Sequence, residues 1–119
     1  MLKTVPELVA DARTQLRCID AVTALHEVEE NEGTILDVRE LVEVENLVAP
    51  HSLNIPRGVL EMKIGEVIQD ENHPVYVHCA TGGRASLAAE QLVKMGYRNV
   101  SVITCPIDAI REKQLQASS

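Results

Sequence analysis

The run Val75-Tyr76-Val77-His78 is short, apolar and β-forming, and it delivers straight into Cys79-Ala80-Thr81-Gly82-Gly83-Arg84. Helical patterning opens at once after that loop. Ala85, Ala88, Ala89, Leu92 and Met95 share one face, and Gly96 is a fitting residue just past the end. A strand, a glycine-rich turn and a helix in that order form half of a parallel β-α-β unit, and the rest of the chain repeats the alternation. This constrains the fold to α/β, with a mainly parallel sheet covered by helices on both faces.

The remaining elements read as follows. Thr4-Val5-Pro6-Glu7 forms a capping box for a helix to about Gln15, with Leu8, Val9 and Ala12 facing inward. Leu16 to Ile19 is a short strand. Asp20 caps a helix whose inward positions are Ala21, Leu25 and Val28, and Asn31-Glu32-Gly33 stops it. Thr34 to Val38 is a buried strand, Arg39 to about Val48 a weak helix, Ser52 to Ile55 an extended piece and Gly58 to about Val67 a helix. Asn99 to Ile103 is the last strand, and Ile107 to Gln114 the last helix. These elements divide the chain into an N-terminal helical extension (residues 1–15), one domain (16–115) and a frayed tail (116–119).

Composition narrows the function classes. The net charge of −7 argues against nucleic acid or an anionic membrane as partner, because both require a basic face. An anionic ligand would have to be drawn in by local positive charge, from Arg84, loop amides and Arg57. Three widely spaced cysteines do not form a disulfide framework, no Cys/His cluster indicates a metal, and no long apolar block indicates a leader or a membrane span. A cytoplasmic protein without cofactor is the expectation.

The chemistry is concentrated at Cys79. A thiol at the carboxyl end of a parallel strand lies where ligands bind in such sheets. Here it is also followed by loop amides, a helix N-terminus and a guanidinium, all of which favour the nucleophilic thiolate. The alternative is a plain buried cysteine on a core strand. Gly82-Gly83-Arg84 weighs against it, since an arginine at a helix start opposes the dipole and such placements are often functional. Only four residues, Ala80 to Gly83, separate Cys79 from Arg84. Cysteine phosphatases and related arsenate reductases need a loop one residue longer to wrap a tetrahedral oxyanion, and their arginine position is occupied by Ala85. The tighter ring suits a single sulfur atom.

The loop resembles the C-x-x-G-x-R active-site loop of single-domain rhodanese-like sulfurtransferases. Asp37-Val38-Arg39, Leu53-Asn54-Ile55-Pro56 and Gly96-Tyr97-Arg98-Asn99-Val100 resemble further segments of that family in the same order. The chain departs from the family pattern at Val48 to Leu53, at Cys105-Pro106 and at Ile110. The resemblance implies a five-stranded sheet and a Cys79 persulfide. Sulfur would come from a small anionic donor such as thiosulfate, or from a persulfide, and pass to a thiol or protein acceptor. A low-turnover persulfide carrier or regulatory binding module is the alternative. Ala80 and Thr81 would line the pocket, with Thr81 a candidate donor to the sulfur, and Arg84 would bind the anionic end of the sulfur donor. Asp37 and Arg39 read as supporting structure, Asp37 accepting hydrogen bonds from the loop and Arg39 pairing with a carboxylate. His78, adjacent to Cys79, points to the opposite face. Cys18 reads as core, the acidic residues Glu27 to Glu32 and Glu40 to Glu45, Glu43 among them, equally as solvated helix faces or as docking surfaces for a basic partner, and Cys105 as either packing or a resolving thiol on the same rim as Cys79.

Overall fold

A computed structural model describes residues 1–117. Its helices are α1 (Val5–Arg13), α2 (Ala21–Asn31), α3 (Leu41–Asn46), α4 (Leu60–Val67), α5 (Gly83–Met95) and α6 (Ile107–Ala117). The strands are β1 (Arg17–Ile19), β2 (Thr34–Asp37), β3 (Leu53–Asn54), β4 (Val75–His78) and β5 (Val100–Ile103), and a 3-10 turn at Arg57–Val59 leads into α4. They form one five-stranded sheet in the order β1-β5-β4-β2-β3, and every adjacent pair is parallel.

The period-2 alternation of the strands sorts the core into two layers. Leu36, Val75, Val77, Val100 and Val102 face α4 and α5, where they meet Leu60, Ile64, Ala85, Ala88, Ala89 and Leu92. Ile35, Tyr76 and Ile103 face α2 and α6, where they meet Ala21, Ala24 and Ile110. Small side chains on α2 and α5 let both helices sit close to the sheet. Burial of this aliphatic core drives folding with almost no aromatic contribution. Tyr76 is buried in the second layer, where its hydroxyl donates to Glu27 at 2.7 Å and accepts from Asn31, and Tyr97 packs against the edge of the first.

Several expectations are corrected. Leu8 is 42% exposed, because α1 docks through Val9, Ala12 and Arg13 instead. Met95 ends α5 at its last turn and is half exposed. Cys18 is exposed, since β1 is an edge strand with β5 on one side only. The weak helix from Arg39 to Val48 shrinks to α3, because Arg39 is tied back to Asp37. The last helix, expected to end at Gln114, runs on to Ala117, anchored by buried Ile110 and Gln114 and built from good helix formers. Ser118 and Ser119 lie outside the described residues.

Candidate active site

β4 hands Cys79 to the carboxyl edge of the sheet, on the side of α4 and α5. The chain then turns sharply. Gly82 caps α5 with φ +96°, a left-handed conformation that L side chains rarely adopt. This turn points two backbone N–H groups at the sulfur: Gly82 donates to Cys79 Sγ at 3.1 Å and Ala85 at 3.3 Å. The sulfur thus lies inside the first turn of α5, where unpaired amides and the helix dipole favour negative charge. Cys79 is 1% exposed, so its sulfur sits at the floor of the loop. The Ala80 carbonyl accepts from Ile107 N–H at 2.9 Å, which ties the loop to the start of α6. Thr81 is exposed at the crest, and no hydrogen bond from it to the sulfur is formed.

Arg84 is held by a partner that sequence reasoning assigned to solvent. Its Nη1 and Nη2 donate to the two carboxylate oxygens of Glu43 on α3, at 2.7 and 2.8 Å. This bidentate geometry is characteristic of arginine and carboxylate. The Arg84 guanidinium is the main reason the Glu43 carboxyl is pulled down to about 2, with the Glu40 N–H assisting and burial opposing. Arg84 is correspondingly raised by Glu43.

Asp37 and Arg39 explain how α3 comes to be there. The Arg39 guanidinium grips the Asp37 carboxylate through Nε at 3.1 Å and Nη2 at 2.8 Å, both side chains being almost fully buried. The Asp37 carboxylate therefore takes its hydrogen bonds from Arg39, not from the Cys79 loop. Arg39 Nη2 also donates to the Leu47 carbonyl at 2.9 Å, just beyond α3, and Asn54 Nδ2 donates to the carbonyls of both Asp37 and Arg39. The network fixes α3, and α3 carries Glu43 to Arg84. Arg57 forms an i,i+4 ion pair with Glu61 at 2.9 Å.

His78 points away from Cys79, as strand alternation requires. Its Nε2 lies 2.8 Å from Ser52 Oγ, which also accepts from Gln114 at 2.9 Å. Burial pushes His78 down to about 4, with Asp37 opposing, so it is neutral near pH 7. Cys105 belongs to the α2–α6 layer, where its Sγ accepts the Ala21 N–H at 3.3 Å. The two thiols thus pack into opposite layers. A separate cleft of about 380 Å³ is lined on this second side by Leu25, Val28, Ile35, Leu53 and Gln114, with no contribution from the Cys79 loop. Among the described residues no group of three or more His, Cys, Asp or Glu is placed to hold a metal ion. No helix among them is long and apolar enough to cross a membrane.

Glu43, Arg13 and Ser86 were missed from sequence. Glu43 looked like part of a solvated acidic face. Arg13 and Ser86, whose side chains meet at 2.9 Å, are 73 positions apart and share no motif.

Comparison with known proteins agrees with this fold. The chain is 38% identical over 66 residues to "Putative sulfur carrier protein YrkF" of Bacillus subtilis (strain 168), a match covering 56% of this chain but only 35% of that protein. The polysulfide-sulfur transferase homodimer of Wolinella succinogenes superposes with a TM-score of 0.77 at 26% identity, covering 89% of this chain and 80% of that one. A Rhodopseudomonas palustris protein of unknown function, named a possible tyrosine phosphatase, shares the fold with a TM-score of 0.82 at 24% identity, over 95% of this chain and 92% of that one. The family model for the rhodanese-like domain matches residues 20–113, and the chain belongs to that family.

Proposed function

We propose that the protein transfers sulfane sulfur through a persulfide on Cys79. The observation that carries this reading is the pair of backbone N–H groups on Sγ inside a four-residue loop. The Cys79 thiolate attacks the outer sulfur of the donor. With thiosulfate, the S–S bond breaks and sulfite leaves with its electron pair, so that Cys79 becomes Cys–S–S⁻. The loop amides stabilise the negative charge on the sulfur. An acceptor thiolate or cyanide then attacks the outer sulfur, and the Cys79 thiolate departs unchanged. The scheme is ping-pong and requires no further co-reactant.

Arg84 is the group that meets the anionic end of the donor. At rest its charge is neutralised by Glu43, so an incoming sulfonate shares or replaces that carboxylate. Glu43 thereby sets the strength of donor binding. Asp37 and Arg39 act at one remove, by holding α3. A loop too short for a phosphoryl group weighs against phosphatase chemistry, and the Rhodopseudomonas likeness speaks only to fold. A second reading is favoured by the named role of the Bacillus relative: the protein carries one sulfur to a partner with little turnover of its own. Three free thiols are compatible with work in a reducing compartment such as the cytoplasm.

The test is intact-protein mass spectrometry after exposure to thiosulfate or a small persulfide. One added sulfur is expected on the native chain, removable by cyanide, and none on Cys79→Ser. Retention of sulfur or of transfer activity by folded Cys79→Ser would sink the assignment. Multiple turnovers with cyanide separate an enzyme from a carrier, which would stop at one equivalent.

A further inference from the structure

Helix α1 ends before the residues that the family model matches, yet it reaches into the Cys79 loop. Arg13 Nε donates to Ser86 Oγ at 2.9 Å, and Ser86 Oγ donates to the Gly82 carbonyl at 2.7 Å. The same carbonyl accepts the Ser86 N–H at 3.0 Å. Gly82 is the residue whose own N–H reaches Sγ. The other end of the guanidinium lies directly against the loop: a Cβ on Gly82 would stand 2.7 Å from Arg13 Nη2. Val9, one turn earlier on α1, packs 3.8 Å from the corresponding point on Gly83.

We propose that Arg13 is a positioning residue for Cys79, acting through Ser86 to hold Gly82 in the left-handed turn that aims its N–H at the sulfur. Ser86 is fully buried and its hydroxyl is used in both directions, as acceptor from a cation and as donor to a carbonyl. Hydrogen bonds in such a series polarise one another, so the positive charge on Arg13 strengthens the clamp on Gly82. Two atoms of one planar group are engaged, Nε on Ser86 and Nη2 against Gly82. A lysine supplies the charge and one contact, but not both. The reacting thiol is thus set partly from outside the family-matched region, by a helix that the sequence presents as a mere extension.

This proposal rests on Cys79 being the nucleophile, and its test is chosen to be readable without sulfur transfer. The full-length chain and its Arg13→Met, Arg13→Lys and Ser86→Ala variants are alkylated with iodoacetamide at neutral pH. Modification of Cys79 is followed by peptide mass, which separates it from Cys18 and Cys105. Arg13→Met is expected to react about tenfold more slowly at Cys79, and Arg13→Lys to recover part of the rate. Ser86→Ala should be slowed in the same direction, and it reads the same relay should Arg13→Met fail to fold. In sulfur transfer, the first variant is expected to lower kcat while leaving KM for thiosulfate within about twofold. Native-like Cys79 alkylation in folded Arg13→Met, or in Ser86→Ala, overturns the proposal. If the native chain takes up no sulfur from any donor but the alkylation differences stand, the sulfur-transfer reading fails and the positioning role of Arg13 survives.

Discussion

Gly82→Ala is the most informative single substitution, because two independent costs can be read from the structure. The first is conformational. At φ +96° a Cβ strains the backbone by about 1–2 kcal/mol. The second is steric: the new methyl meets Arg13 Nη2 at 2.7 Å and the Thr104 carbonyl oxygen at 3.3 Å. The Thr104 contact needs a shift of a few tenths of an ångström. The Arg13 contact is relieved only by swinging the guanidinium away, which removes its bond to Ser86, a charged hydrogen bond worth about 1.5–3 kcal/mol. Arg13 is partly exposed and regains water, so the lower end of that range applies. Together the two costs predict a loss of about 2–4 kcal/mol, or roughly 8–15 °C in Tm for a domain of this size. Urea and thermal unfolding followed by far-ultraviolet circular dichroism measure it. Gly65→Ala is the matched control: Gly65 lies inside α4 with nothing within 4 Å of a new Cβ, and the substitution should stabilise by about 0.5–1 kcal/mol. If Gly82→Ala melts within about 0.5 kcal/mol of the native chain, the argument that this turn is held by its left-handed geometry and by Arg13 is wrong.

Other outcomes follow from the same geometry. Arg84→Ala should raise KM for thiosulfate with little change in the rate of cyanide attack on the persulfide, and steady-state kinetics varying each substrate will show whether the donor step alone is affected. His78 is held neutral at about 4, below its unfolded value of 6.5, so the unfolded state binds the proton first and stability falls as pH drops. Between pH 7 and 5 the native chain should lose about 2 kcal/mol in urea unfolding, and His78→Gln should flatten that slope. Glu43 is depressed from 4.5 to about 2, so its contribution is present above pH 4.5 and disappears towards pH 2. Glu43→Gln should remove part of the acid sensitivity in that window, modestly, because the pair is about one-third exposed. Mild peroxide should yield no Cys79–Cys105 cross-link in peptide maps, since the two thiols pack into opposite layers.

What was legible in the sequence was local. The alternation of Val75, Val77 and Tyr76 assigned sheet faces, and Gly82-Gly83 signalled the turn and Gly96 the helix end, because each is decided within a few residues. Family membership and the five-stranded sheet also followed from local segments. What stayed hidden depends on which distant surfaces meet. Glu43 is indistinguishable from Glu45 in sequence until Arg39 fixes α3 beside α5. Arg13 looks like an ordinary basic residue in a last helical turn, which it also is. Cys18 was misjudged because edge or centre is a property of strand order, and the order β1-β5-β4-β2-β3 cannot be seen in β1 itself. Leu8 was misjudged because α1 packs on another helix through its Val9–Arg13 side, a choice made by α5.

That strand order has a consequence in time. β1 pairs only with β5, and Arg17 and Ser101, partners in that ladder, are 84 positions apart. Loop closure over such a span is slow, and a ribosome delivers the chain from the N-terminus. β1 therefore emerges well before the strand it pairs with. A chain stopped before Val100 is expected to leave β1 unpaired, and protection of the β1 amides in hydrogen exchange on stalled chains would contradict this. The lag reaches the Cys79 loop, since the Ala80 carbonyl waits for Ile107 at the start of α6, and Gly82 waits for α1 to settle on α5. Until α1 rests on α5 and Ile107 has reached Ala80, the Cys79 loop lacks both of these ties. The Cys79 loop is thus expected to close only once α1, α5 and the start of α6 are all in place.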